Sequence, residues 1–265
     1  MSVVTDQLPD AARIRTLLEP GTPFSRVEVV ETTGSTNADL GQRARAGEGE
    51  GVALVAMEQT AGRGRLDRQW VSPRGASISL SMLLKPRPEF QHWGWLSLLA
   101  GMAVSSAIAE VAPDPSRVTL KWPNDVLIGG QKVCGILSER IERPDGARAV
   151  VGLGINVSLR RDELPVPTAT SLVLEGIPTD QGRVVAGVLN HFARYYAGWQ
   201  LRGSLREEYE ARCSSIGAQL SIMVDGVHTV EGTGRGVDAF GRLQVATARG
   251  LQTFAVGDVV HARLG

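Results

Sequence analysis

The sequence predicts an α+β protein in two unequal parts: a larger region of strands and helices over residues 1–215, and a small all-β module over 216–265. Three observations predict this. Short apolar or alternating runs, such as Val52–Ala56 and Ser77–Met82, stand among stretches of helical periodicity, of which residues 180–201 are the clearest. Turns at Ile128-Gly129-Gly130-Gln131 and Pro144-Asp145-Gly146 join neighbouring strands as hairpins. After Ser214-Ser215 the texture changes to short strands separated by glycine-rich turns.

Taken in order, residues 10–19 suit a short helix ended by Pro20-Gly21, and Val27–Val30 is the first strand. Thr33-Gly34-Ser35-Thr36-Asn37 supplies residues that cap helices, and Gly47 supplies a stop. The same side chains, with the orphan amides of a helix start, could equally surround a polar ligand group. Val52–Ala56 reads as a buried strand, and the alternation Ser77-Ile78-Ser79-Leu80-Ser81-Met82 reads as a half-buried one. His92 to Ala112 is a long apolar helix candidate, with Trp93 and Trp95 in the core and small residues at 101, 103, 105 and 106 inviting a close neighbour.

Two apolar strands flank Pro123-Asn124-Asp125, a break that kinks or bulges the pair. The return strand, Lys132 to Glu139, carries a lysine in apolar company, as Lys121 does one strand earlier. Such a cation is costly unless its head meets an anion or water. In Ala149–Val157, Gly152 and Gly154 share one face, so something packs closely there. That run lacks the third glycine and following helix of a dinucleotide fingerprint. Residues 180–201 place Val184, Val185, Val188, Leu189, Phe192, Tyr196 and Trp199 on one side of a helix, and Ser204–Arg212 suits a second. The β module follows, with turns at Asp225-Gly226, Gly232–Gly236, Phe240-Gly241, Arg249-Gly250 and Gly257-Asp258.

Composition narrows the function. The 265 residues are 43% hydrophobic and 21% charged, ordinary for a soluble enzyme. Lys+Arg and Asp+Glu balance at 28 each, so no net field favours a nucleic-acid backbone or an anionic membrane. Two cysteines and four histidines form neither a disulfide framework nor a metal-ligand spacing. The chain shows no signal peptide and no apolar run near the ~18 residues that span a bilayer. A soluble, cytoplasmic protein is expected. Nucleotide P-loop, kinase and Gly-x-Ser-x-Gly motifs are missing from the sequence.

The densest chemistry lies in Gln59-Thr60-Ala61-Gly62-Arg63-Gly64-Arg65-Leu66-Asp67-Arg68-Gln69-Trp70. Glycines let the backbone approach a ligand, and arginine forks match carboxylate and phosphate oxygens. A mobile loop that closes over an anion is one reading; a solvated basic loop is the other.

Five segments in order resemble the biotin protein ligase family. They are Gly34-Ser35-Thr36-Asn37, the Gln59–Trp70 loop, Lys121-Trp122-Pro123-Asn124-Asp125, Lys132-Val133-Cys134-Gly135-Ile136-Leu137-Ser138-Glu139, and Gly152-Leu153-Gly154-Ile155-Asn156-Val157. The terminal module resembles the SH3-like β-barrel that closes such ligases. The resemblance implies a mixed, largely antiparallel central sheet with flanking helices, like that of class II aminoacyl-tRNA synthetases. It implies activation of biotin by ATP and Mg²⁺ to biotinyl-5′-AMP, then transfer to a lysine of a biotin carboxyl-carrier protein domain of a biotin-dependent carboxylase.

By the same resemblance, Ser35, Thr36, Asn37, Gln59, Arg63, Gly64, Arg65, Lys132, Gly152 and Gly154 belong to the biotin site. Arg63, Arg65, Trp70, Lys121, Asn124 and Asn156 belong to ATP or the adenylate, and Asp125 to Mg²⁺. Lys132, Arg65 and Lys121 are the expected catalytic groups. Asp67 stands where many relatives carry glycine, which stiffens the loop, and Cys134 where alanine is common. Too few residues precede Val27 for a DNA-binding helix-turn-helix, so the ligase-only type is expected, without DNA or membrane partners, as a monomer or weak homodimer. The alternatives are a lipoate-protein ligase-like transferase, whose loop lacks the Gly-Arg-Gly-Arg run, and a non-catalytic biotin- or nucleotide-binding regulator.

Overall fold

The computed structural model describes residues 8–65, 68–70, 73–177, 180–224, 228–255 and 257–261. A short helix α1 (Ala11–Thr16), capped by the Asp10 carboxylate, leads into strand β1 (Arg26–Thr33), helix α2 (Thr36–Arg45) and strand β2 (Val52–Gln59). β1 and β2 are parallel, as a helical crossover requires. The remaining strands of this sheet are antiparallel: β3 (Ser77–Leu84), β4 (Val118–Lys121), β5 (Asp125–Ile128), β6 (Gln131–Ile141) and β7 (Arg148–Asn156). The order is β1-β2-β3-β7-β6-β5-β4, the mixed, largely antiparallel sheet expected.

The two faces of this sheet are covered differently. Helices α3 (Trp95–Ala109) and α4 (Gln181–Arg202) pack on each other, and α3 lies on the sheet, where Gly101 comes close to Leu120 and Ile136. This layer holds the main core. On the other face α2 covers β2, β3 and β7 over a smaller apolar cluster of Leu40, Ala44, Val52, Leu54, Leu83, Ile141 and Val150. α3 is buried all round from Trp95 to Met102 apart from Ser97, because it lies between the sheet and α4.

Three expectations change. β3 is buried at all eight positions rather than alternately, since α2 roofs the serine face that the pattern assigned to water. Trp95 is fully buried, but Trp93 is only half-buried at the margin, where its ring meets Phe90 and Arg140. α3 starts at Trp95, after a 3₁₀ turn over Phe90–His92.

A five-residue helix α5 (Arg206–Glu210) precedes a second, wholly antiparallel sheet: β8 (Gln219–Met223), β9 (Thr229–Val237), β10 (Leu243–Thr247), β11 (Gly250–Phe254) and β12 (Asp258–His261), in the order β11-β10-β9-β8-β12. The expected Asp225-Gly226 turn lies outside the described residues. Leu220, Ile222, Val237, Leu243 and Val245 join the main core cluster. Buried indole N–H groups reach across: Trp95 donates to the Ala239 carbonyl at 2.9 Å and Trp122 to the Gly241 carbonyl at 3.0 Å. The β9–β10 turn is thereby fastened to α3 and to the β4–β5 hairpin.

Candidate active site

Strand register assembles the site on the α2 face of the sheet. Ser79 faces Gly154, which faces Gly135; one step along, Ser81 faces Gly152, which faces Leu137. Small residues across three strands thus form a floor on which side chains lie flat. A Cβ on Gly152 would fall 1.9 Å from the Asn37 amide oxygen, and one on Gly154 would fall 2.3 Å from the Trp70 ring. The close neighbours of the two glycines are therefore side chains of the motifs themselves.

At one end of the floor sits the start of α2. Ser35 caps it, its hydroxyl accepting the Ala38 N–H, as the cap reading of that motif expected. The parallel register sets Gln59 opposite Thr33, within reach of the helix start. The Gln59 Oε1 accepts both the Thr36 N–H (2.8 Å) and the Thr36 hydroxyl (3.0 Å). That fixes the amide so that its nitrogen, with two donors, faces away from Thr36.

Ser81 is fully buried, and its one proton serves two acceptors, Thr36 Oγ1 at 2.7 Å and Asn37 Oδ1 at 2.6 Å. Asn37 spends its own two protons on the Leu137 carbonyl (3.1 Å) and the Glu139 carboxylate (2.8 Å). All of Asn37's strong hydrogen-bonding groups are thus committed to protein. Sequence reasoning missed Ser81 and Glu139 as members of this network. The signal for Ser81 was the serine alternation of β3, assigned to solvent; Glu139 closed a recognised motif but carried no chemical role.

The arginine loop is a tight ribbon. Trp70 N–H donates to the Gly62 carbonyl at 2.9 Å, Gly64 N–H donates to the Arg68 carbonyl at 2.6 Å, and Arg63 bridges Gln69. Gly62 is required here, because a Cβ would lie 2.4 Å from the Trp70 carbonyl oxygen. The ribbon lays the Trp70 indole across Gly154 and Gly135, and its buried Nε1–H has no hydrogen-bond partner among the described residues. A buried indole donor without an acceptor costs of the order of 1–3 kcal/mol, which marks a place for one. Leu66 and Asp67, including the stiffening expected at Asp67, lie outside the described residues.

The other end of the floor is cationic. In the β4–β5 hairpin Lys121 pairs with Asp125, and the Asn124 side-chain N–H₂ donates to the Ile136 carbonyl at 2.9 Å. This leaves Asn124 Oδ1 to accept from the Arg65 guanidinium at 3.0 Å. Lys132 Nζ lies 2.6 Å from Asp125 Oδ1 and close over Gly135, beside Trp70. Arg63 is not part of this end: it pairs with Glu139 at 2.8 Å. Asn156 is buried and donates to the Thr170 carbonyl at 3.0 Å, holding the segment that also pairs with Lys132 along the backbone. Cys134 is fully buried, and burial pushes its thiol far above the ordinary range, with nearby Lys132 only partly offsetting this. It therefore stays a neutral packing residue.

A cavity of about 290 Å³ opens beside the Gln59 end of the floor, lined by Gln59, Ala61, Gly62, Gln69, Trp70 and Pro73 among others. A larger cleft of about 640 Å³, between the end of α3, α4 and residues 211–214, contains none of the motif residues.

Residues 29–156 match the Biotin/lipoate A/B protein ligase family, and residues 223–262 match the Biotin protein ligase C terminal domain. The chain is 38% identical to a biotin–[acetyl-CoA-carboxylase] ligase of Mycobacterium tuberculosis, over 93% of each chain. It is 32% identical to the Paracoccus denitrificans enzyme of the same name, over 86% of this chain and 97% of that one. Among solved structures it resembles the Aquifex aeolicus biotin protein ligase in complex with biotin and ATP. The TM-score is 0.75, with 29% identity over 91% of this chain and 100% of that one.

Proposed function

Because the chain belongs to the biotin protein ligase family, we infer that it joins biotin to a biotin carboxyl-carrier protein in two ATP-driven steps. In the first, a biotin carboxylate oxygen attacks the α-phosphorus of ATP, the bond to the bridging oxygen breaks, and pyrophosphate leaves. In the second, a lysine amine of the acceptor attacks the acyl carbon of biotinyl-5′-AMP. The amine loses a proton, the amide forms and AMP departs. The observation that carries this reading is the shared floor of Gly152, Gly154 and Gly135, with hydrogen-bonding side chains at one end and cations at the other.

We propose that the ureido ring binds at the first end. Gln59 keeps two N–H donors for a ureido oxygen, and Ser35 and Thr36 supply hydroxyls at a helix start. Asn37 acts there by holding Thr36's surroundings rather than by touching the ring. Trp70 covers the floor, and its indole N–H is the natural donor to a ligand acceptor. At the far end Lys132, Arg65 and Lys121 meet the negative charge that builds on phosphate oxygens in both steps, which fixed cations stabilise. Closure of the Arg63–Arg65 loop would keep water from the mixed anhydride.

Mg²⁺ enters as part of the ATP substrate. Among the described residues no three His, Cys, Asp or Glu side chains gather as a metal-binding group. One carboxylate plus substrate phosphates is an ordinary Mg²⁺ arrangement, and Asp125 is suited to be that carboxylate.

The test is exchange of labelled pyrophosphate into ATP with biotin, with lipoate, and with neither. Exchange that depends on biotin supports the reading; equal exchange with lipoate overturns the choice of ligand.

A further inference from the structure

We propose that Glu139 is a positioning residue that ties the α2 end of the site to the arginine loop, an inference that rests on the ligase reading above. Glu139 lies on β6 opposite Val150, two residues beyond Leu137, on the same face as the glycine floor. Its Oε2 accepts two hydrogen bonds of 2.8 Å, one from Asn37 Nδ2 and one from Arg63. Asn37 adjoins Thr36 at the helix start, and Arg63 belongs to the loop. A single carboxylate oxygen therefore joins the element that would receive the ureido ring to the element that would cover it.

The connection continues without a break. Gln59 fixes Thr36, Ser81 bridges Thr36 and Asn37, Asn37 reaches Glu139, and Glu139 reaches Arg63. Asn37 and Ser81 are buried, so the pair Asn37–Glu139 is sheltered on one side even though Arg63 is half-exposed. Glu139 stands four residues along β6 from Gly135, about 13 Å at strand rise, so it is well removed from the Lys132 end. At that distance its charge does little to repel a phosphate.

Arg63 and Arg65 of the loop therefore divide their work. Arg65 is held toward the phosphate end by Asn124, and Arg63 is held at the ring end by Glu139. The loop is anchored at both ends of the ligand. Loss of the Glu139 anchor should free the ring-end half of the loop while leaving the cationic end assembled.

The test is a double-mutant cycle of Glu139→Gln and Arg63→Gln in the full chain, read as the rate at which bound biotinyl-adenylate is released. Glutamine keeps an acceptor for Asn37 and removes the negative charge that faces Arg63. Glu139→Gln should speed release about three- to tenfold, because an ion pair with one exposed partner is modest. Arg63→Gln should do the same, and the double variant should be no worse than the poorer single one. Trypsin cleavage after Arg63 should be slowed by biotin in the unmodified chain and much less so in Glu139→Gln. Thermal melts identify a variant that has simply lost its fold, and exposed Arg63 supplies the second arm in that event. Additive effects in the cycle, or release unchanged by Glu139→Gln, would overturn the proposal. If the unmodified chain shows no biotin-dependent pyrophosphate exchange, it is the ligase reading that fails.

Discussion

At the residue scale, Arg65 and Lys132 both carry charge toward the phosphate end but are held by different kinds of structure. Lys132 is on a strand, salt-bridged to Asp125 on the neighbouring strand, so it is in place before any ligand arrives. Arg65 is on a loop, and its placement depends on that loop. Removing a charge-assisted contact costs ~1.5–3 kcal/mol, a factor of roughly ten to a hundred. Lys132→Ala should lower the rate of adenylate formation by about that factor. Arg65→Ala should still form adenylate but release it faster into solution. Quenched-flow measures the first and filter separation of free from bound adenylate the second; the opposite pattern would reverse the assignment. Gly154 offers a steric counterpart. A methyl there would meet the Trp70 ring at 2.3 Å, so Gly154→Ala should displace the indole and weaken adenylate binding at least tenfold, with a much smaller effect on the melting temperature. Tight binding by Gly154→Ala would show that the ring has another resting place.

At the element scale, the described part of the loop from Gly62 to Trp70 is a ribbon closed by its own backbone hydrogen bonds, with Arg63 fastened to Glu139 and Arg65 to Asn124. Apart from Gly62, its described residues are exposed or half-buried, which places it at the low-stability end of the molecule. Trypsin should cut at its arginines readily in the ligand-free protein, and biotinyl-adenylate should slow that cleavage severalfold. Equal rates with and without ligand would remove the lid from the mechanism. β3 behaves differently because it is buried on both faces. Its Ser81 hydroxyl is spent on Thr36 and Asn37, so the strand is a rigid base for the part that moves.

At the scale of the whole molecule, the two sheets share one apolar core and two tryptophan tethers. Trp122 stands between Lys121 and Asn124-Asp125, so its hold on the Gly241 carbonyl also steadies the cationic end. Trp122→Phe keeps most of the buried ring but leaves that carbonyl unpaired, which should cost ~1–3 kcal/mol. Urea unfolding followed by circular dichroism and by fluorescence should give one coincident transition, shifted to lower urea in the variant. Two separate transitions would show that the parts fold independently.

The sequence by itself determined most of the elements and named many of the residues that the fold gathers around the glycine floor. Strand runs, the Gly129-Gly130 turn and the apolar face of α4 are local patterns, written in periodicity and in residues that fit special backbone positions. The motif residues were legible for the same reason: arginines between glycines and lysines in apolar strands are chemically unusual wherever they fold. Local patterns cannot say what lies on the far side of a strand. β3 alternates serine with apolar residues, and only the tertiary structure sets α2 over the serines and turns a surface pattern into a buried network. Likewise only the register of β6 against β7 puts Glu139 on the floor's face, where Asn37 and Arg63 can share it from more than seventy residues away in sequence. The parallel pairing of β1 with β2, which brings Gln59 to Thr36, depends on a crossover rather than on either strand's composition. Hydrogen bonds between distant segments are set by register and packing, and a one-residue slip would turn each of these groups to the other face.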